Sequence, residues 1–305
     1  MEYIIVTRDL SKKFGDFTAV DRLNVQIRSS EICGFLGPNG AGKSTAIRML
    51  CGILAPSSGQ GYVIGYNINS ESEQIKKHIG YMSQKFSLYD DLTVYENLDF
   101  FAGIYDIPIN QRSKRINQLI ALMELETDKN HLVSNLSVGH KQRLALASAI
   151  VAKPQVLFLD EPTSGVSPAS RRNFFDIIQG LANEGTTVIV TTHFMDEAER
   201  CNKLAFLSQG KLLAFDNPER LKKDSIKGIL VEIELPEPLL HMEKLLKLPY
   251  VKDCFLHGAL LHVLLTNSEA LKEFSQEINK PLKIIKPTLE DVFITLAKEP
   301  QRESW

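Results

Sequence analysis

Long apolar runs are missing from this sequence of 305 residues. The longest, such as Leu144–Ala152, fall well short of the roughly 18–20 residues that a helix needs to span a bilayer. The N-terminus (MEYIIVTRDLSKKFG) carries charges where a secretion signal needs an apolar centre, so no leader is predicted. Cysteine is scarce: Cys33, Cys51, Cys201 and Cys254 lie far apart with no C-x-x-C spacing. They read as small buried residues of a reduced protein rather than zinc ligands or disulfides. Excess charge of either sign is absent too. With 35 Lys and Arg against 37 Asp and Glu, the net charge is −2, and nucleic acid is not an expected partner. There is no internal repeat and no low-complexity tract. What remains is a chain long enough for two domains, with 44% hydrophobic residues to build their cores.

One segment stands out. Ile32–Leu36 is apolar and runs straight into GPNGAGKST, formed by Gly37, Pro38, Asn39, Gly40, Ala41, Gly42, Lys43, Ser44 and Thr45. The pattern G-x-x-x-x-G-K-[ST] is a phosphate-binding loop. Glycines let successive N–H groups turn inward toward phosphate oxygens. Lys43 supplies an ammonium for the β- and γ-phosphates, and the Ser44 hydroxyl a ligand for Mg²⁺. The helix predicted from Thr45 onward adds its positive N-terminal end. The chain is predicted to bind a nucleoside triphosphate.

Hydropathy patterning places the rest. Tyr3–Arg8 and Val25–Arg28 alternate like an antiparallel strand pair, Gly59–Asn67 reads as a strand with turn glycines, and Ser72–His78 as a polar helix before a short strand, Ile79–Ser83. From Leu92 to about Ala152 the pattern is helical. Val156–Asp160 and Thr187–Thr192 are nearly continuous apolar β runs, as buried parallel strands are. A polar seam, Pro218–Lys227, is followed by strand, helix, strand, strand, helix, strand and helix up to Ala297. That βαββαβ series predicts a small ferredoxin-like α+β unit. The expected division is 1–222, with a helical subdomain at about 87–153, then 223–298, then a frayed tail over 299–305.

Further along, VLFLDEP (Val156–Pro162) ends an apolar strand in Asp160, placed to reach Mg²⁺ through water, and Glu161, placed to polarise an attacking water. LSVGHKQR (Leu136–Arg143) opens a helix at which Ser137 and the Gly139 N–H form a second anion-binding end; taken alone it reads as an ordinary N-cap.

Together these segments resemble the ATP-binding cassette (ABC) subunits over residues 2 to about 220, in that family's order. GPNGAGKST is similar to the Walker A motif, VLFLDEP to Walker B with Glu161 as catalytic glutamate, and LSVGHKQR to the signature LSGGQ. Gln84 in YMSQ resembles the Q-loop glutamine that contacts Mg²⁺ and senses the membrane partner. His193 in VTTH resembles the switch histidine at the γ-phosphate, and Phe14 in KKFG the aromatic residue that stacks on adenine. PTLEDVFITLA (Pro287–Ala297) and TTHFMDEAERC (Thr191–Cys201) resemble ATPases that serve ABC-2-type membrane subunits of drug and polysaccharide exporters.

The resemblance implies a P-loop NTPase α/β core with an antiparallel β subdomain and a helical insertion. ATP and Mg²⁺ are the implied cofactors. A second copy of the chain, or a paralogous ABC subunit, would pair head to tail with it, and a separate ABC-2-type permease would hold it on the cytoplasmic face of the membrane. A soluble ABC ATPase without a transport role is the alternative, as is a weakly hydrolysing regulatory module. Three positions depart from the family pattern: Val138 replaces a signature glycine, His140 the signature glutamine, and Ser167 the D-loop aspartate. Val138 is costly only if its backbone needs φ > 0. Ser167 before Pro168 keeps a helix start while removing a carboxylate. The expectation is that hydrolysis persists at a lowered or weakly coupled rate.

Overall fold

The computed structural model describes residues 3–302, with side chains up to 298. The chain divides into two compact units, 1–217 and 218–305.

In the first unit, strands β1 (Tyr3–Phe14), β2 (Phe17–Leu23), β3 (Gln26–Arg28) and β4 (Ile32–Leu36) precede helix α1 (Lys43–Leu50). Then come β5 (Ser58–Val63), β6 (Tyr66–Asn67), α2 (Ser72–Lys76) and β7 (Ile79–Met82). The helical segment holds α3 (Val94–Ile104), α4 (Ile109–Leu122) and α5 (Val138–Ala149). The unit finishes with β8 (Val156–Asp160), α6 (Pro168–Asn183), β9 (Thr187–Thr192), α7 (Met195–Ala198), β10 (Lys203–Ser208) and β11 (Lys211–Asp216).

Strands β7-β8-β9-β4-β10 run parallel side by side. Every residue of β4, β8 and β9 is buried, because helices cover both faces of a parallel sheet, and this explains their unbroken apolar sequence. The sheet continues through β11 into the antiparallel group β2-β1-β5-β6, with β3 also paired to β1. The predicted pair of strands at 3–8 and 25–28 is present, and the predicted strand over 59–67 is a hairpin, β5–β6. The helical segment begins on a capping box in which the Thr93 hydroxyl accepts from the Glu96 N–H and the Glu96 carboxylate accepts from the Thr93 N–H.

The second unit comprises α8 (Pro218–Asp224), β12 (Ile229–Ile233), α9 (Pro238–Leu245), β13 (Val251–His257), β14 (Leu260–Leu265), α10 (Ser268–Ile278), β15 (Lys283–Ile284) and α11 (Leu289–Arg302). Its sheet order, β15-β12-β14-β13 with antiparallel neighbours throughout, is the ferredoxin-like order that the sequence predicted. Val231, Ile233, Leu261, Val263 and Phe274 centre a core of its own.

Two expectations need correcting. The polar seam is largely helical: PERLKKD is α8, with proline at its first position and a Glu219–Lys222 ion pair of 2.7 Å across one turn, so a boundary at 222/223 would cut a helix. Helix α11 runs on past Ala297 to Arg302, beyond the expected end of the accessory unit at 298; residues 303–305 lie outside the described residues. Among the described residues no helix is long and apolar enough to cross a membrane.

Candidate nucleotide site

The edge of the site is set where β4 ends. Gly37 follows its last residue so closely beneath β10 that a Cβ there would lie 2.2 Å from the Leu207 carbonyl oxygen. Gly42 has φ +99°, a conformation that an L side chain rarely adopts, and it hands the chain into α1. Lys43, the first residue of α1, is buried and turns back over the loop. Its Nζ donates to the carbonyls of Gly37 (2.8 Å) and Pro38 (3.1 Å) and lies 3.4 Å from Glu161 Oε1.

Strand β8 brings the two acidic residues to the same place. Asp160 is fully buried, and its Oδ1 accepts from Ser44 Oγ (2.8 Å) and Thr191 Oγ1 (2.9 Å). Its Oδ2 is buried with no hydrogen-bond partner among the described residues. A buried carboxylate oxygen left without a donor, beside a serine hydroxyl, fits a hard divalent cation bound through oxygen, as Mg²⁺ is. Glu161 sits at φ +47°, its N–H donating to Thr191 Oγ1 at 2.7 Å. That left-handed kink at the strand end turns its carboxylate to Lys43 and to Gln84, whose Nε2 donates to Glu161 Oε2 at 3.0 Å. Lys43, Ser44, Gln84, Asp160 and Glu161, singled out separately in the sequence, thus form one connected network with Thr191.

A cavity of about 330 Å³ opens over this network, bordered by Asn39, Gly40, Ala41, Gly42 and Thr45. Its aromatic wall is Phe17, not the predicted Phe14. The two are cross-strand partners at the β1–β2 turn, and Phe14 lies under the Lys12 ammonium, 5.1 Å from its ring centre. The sequence marked the first of two exposed rings; the hairpin puts the second at the loop.

Ser137 and Gly139 are elsewhere. They border a separate cavity of about 320 Å³ together with Val138, His140, Gly165 and Ser167, and it shares no residue with the first. Ser137 caps α5 by accepting from the His140 N–H (3.2 Å), and Ser167 caps α6 by accepting from the Ser170 N–H, with Pro168 at the first helical position. Val138 is the first residue of α5 and is not among the positive-φ positions, so it carries no backbone strain. A Cβ on Gly139 would meet only Ser137 Oγ, at 4.0 Å. His140 Nδ1 lies 2.8 Å from Asp128 Oδ2.

His193 is exposed just beyond β9, its ring 4.1 Å from that of Phe194, and no hydrogen bond joins it to Lys43, Asp160 or Glu161 among the described residues. Behind it lies a residue that the sequence reading missed. Glu197 is buried, and its carboxylate accepts from Thr163 Oγ1 and Thr192 Oγ1, each at 2.5 Å. Arg171 of α6 approaches Glu197 to 3.9 Å and stacks its guanidinium 3.8 Å from the Phe194 ring. Burial pushes the Glu197 carboxyl above its ordinary range, against the pull of its hydroxyl donors and Arg171. The signal for it was one acidic residue among three, Asp196, Glu197 and Glu199, at a four-residue helix, a pattern too common to read. The four cysteines are buried free thiols, Cys201 pushed up to about 12 mainly by burial, which agrees with the sequence reading.

Comparison with known proteins gives this geometry its setting. Residues 20–164 match the family model described as ABC transporter. The chain is 46% identical over 237 residues to the probable multidrug ABC transporter ATP-binding protein YbhF of Escherichia coli; the match takes in 78% of this chain but only 40% of that protein. It is 35% identical over 291 residues to the Nod factor export ATP-binding protein I of Rhizobium etli, covering 94% of this chain and 91% of the relative. Among solved structures it is similar to cbiO1 of Clostridium perfringens, part of the ABC transporter complex cbiONQ, with a TM-score of 0.68 and 28% identity over 73% of this chain and 92% of that one. A dimeric post-hydrolysis structure of the cassette MJ0796 bound to ADP and Pi gives a TM-score of 0.64 and 26% identity over 70% of this chain and 98% of that one. The chain belongs to the ATP-binding proteins of ABC transporters.

Proposed function

We propose that this chain binds and hydrolyses ATP to drive a membrane exporter, and that it works as a head-to-tail pair. One observation carries the reading: the phosphate-loop cavity and the cavity at the start of α5 lie on one chain yet share no residue. On this reading each is half of a site. A second copy laid head to tail brings the Ser137 and Gly139 end of its α5 onto the phosphates held by Lys43. The space above Gly139, where a Cβ would touch nothing closer than 4.0 Å, suits that close approach.

Lys43 and the loop N–H groups hold the β- and γ-phosphates, and Phe17 offers the face on which adenine stacks. Ser44 and Asp160 are the residues to hold Mg²⁺, with Gln84 beside them. The ion, when bound, neutralises charge on the phosphates. Glu161 takes the proton of the attacking water, held toward the loop by its kinked backbone and by Gln84. His193, on the loop that Glu197 anchors, reaches the γ-phosphate when the pair closes.

The export direction rests on the relatives' names, multidrug and Nod factor export, and on the PTLEDVF segment. An ABC-2-type permease is the proposed membrane partner, with the chain peripheral on the cytoplasmic face. The proposed domain limits are 1–217 for the cassette and 218–305 for the accessory unit, supported by the two compact units of the chain. The test is light scattering of the Glu161→Gln variant with and without MgATP. A shift to the mass of a dimer supports the reading; an unchanged monomer at saturating MgATP would falsify it.

A further inference from the structure

The second unit holds a polar cluster that the nucleotide chemistry does not use. His262, in the middle of β14, is 1% exposed and faces Glu232 of β12 and Phe255 of β13 across the sheet. Its Nδ1 lies 2.8 Å from Asp291 Oδ1. Asp291 is itself immobilised in the first turn of α11: its Oδ2 accepts from the Thr288 N–H (2.8 Å), and its own N–H donates to Thr288 Oγ1 (3.2 Å). A carboxylate fixed in this way accepts from Nδ1–H and so places the imidazole lone pair on Nε2.

That Nε2 is buried and has no hydrogen-bond partner among the described residues. What it faces is another acceptor, Glu232 Oε2, at 3.5 Å, while Lys283 donates to the other oxygen of Glu232 at 3.1 Å. A buried nitrogen lone pair without a donor, 3.5 Å from the oxygen of a partly exposed carboxylate, suits a cation held by both. The separation is also what two ligands around one ion about 2.0–2.2 Å from each would show. His257 lies alongside, its ring parallel to that of His262 (13°) with centroids 4.6 Å apart, and its Nδ1 is 3.5 Å from Glu290 Oε2. Nitrogens of both histidines and an oxygen of Asp291 fall within 4.8 Å of one another. The His257 side chain is 40% exposed, and binding an ion in the plane of His262 would require it to turn away from Glu290.

We propose that His262 Nε2, Glu232 Oε2 and His257 bind a divalent transition-metal ion of the zinc class, with Asp291 orienting His262 from behind. Imidazole with carboxylate is the donor set such ions take, and a carboxylate on the far nitrogen is the arrangement that metal-bound histidines share. The site lies within the second unit and does not depend on the nucleotide reading.

The experiment titrates the full chain, stripped with EDTA and free of nucleotide, with ZnCl₂ by calorimetry. One equivalent should bind with a Kd of micromolar or below and raise the melting temperature. Glu232→Gln and His257→Asn, both at partly exposed side chains, should each weaken binding by at least the roughly 10–100-fold that loss of an outer-shell partner costs, without lowering the melting temperature of the metal-free protein. Cobalt(II) in place of zinc should give absorption from nitrogen and oxygen ligands alone. No saturable binding would overturn the site. Unchanged affinity in both variants, or a thiolate band with cobalt, would place the ion elsewhere and overturn it equally.

Discussion

At the scale of residues, the catalytic reading turns on carboxylates whose surroundings differ. Glu161 meets Lys43 and Gln84 at the cavity mouth; replacing it by Gln should lower ATP turnover by about 10²–10⁴-fold while leaving nucleotide affinity intact, measured as phosphate release beside equilibrium binding. Equal turnover by the native chain would remove Glu161 as the base. Glu197 is the opposite case, buried behind the switch loop with its carboxyl raised. An acid raised on folding binds its proton more tightly in the folded chain. Its contribution to stability is therefore whole below the ordinary carboxylate range and is lost as pH rises through the raised value. Melting curves of the native chain and Glu197→Gln across that window should show the native chain losing ground to the variant with rising pH. A constant difference would mean that the burial of Glu197 leaves its proton affinity unchanged.

At the scale of elements, two short pieces of backbone decide how the chain meets its nucleotide and its copy. The β1–β2 hairpin holds Phe17 at the loop, so Phe17→Ala should cost about 1–3 kcal/mol of ATP affinity, as loss of a base-stacking ring does, and Phe14→Ala much less. The reverse order in a binding titration would restore the sequence-based choice. The α5 start makes a matching prediction. Gly139→Ala has room within the chain and should leave the melting temperature unchanged, while MgATP-driven pairing of a Glu161→Gln background weakens. Elements of this kind differ in how much the sequence discloses. Strands β8 and β9 were legible because each is a nearly continuous run of apolar and β-branched residues, and β13 and α10 because turn residues bound them. The β10–β11 hairpin was not: its turn is Gln209–Gly210, both at positive φ, without the Asn or Asp that usually announces such a turn. Strand β2 was hidden by its mixed burial and by Arg22, left-handed inside it. Of the site, Lys43, Ser44, Asp160 and Glu161 could be read because phosphate chemistry fixes their spacing. Glu197 and Phe17 could not, since only folding across 34 residues brings Glu197 to Thr163 and only a turn sets one ring before the other.

At the scale of the whole molecule, the chain is two cores in series, a cassette and a ferredoxin-like unit whose own strands and helices enclose its apolar centre. The metal proposed for the second unit and the nucleotide proposed for the first are separate equilibria on their own residues, and each can be measured with the other absent. The two disjoint cavities of the cassette carry a last consequence, one of valence. A body with one face that gives and another that receives is a bivalent connector, and connectors of that kind either close into rings or grow into open filaments. Only if both faces point to the same side does the smallest ring, two members joined by a two-fold axis, consume every valence at once. Light scattering of Glu161→Gln with rising concentration in MgATP should therefore level off at two chains; a mass that keeps climbing would mean that the faces look apart and the assembly is a fibre.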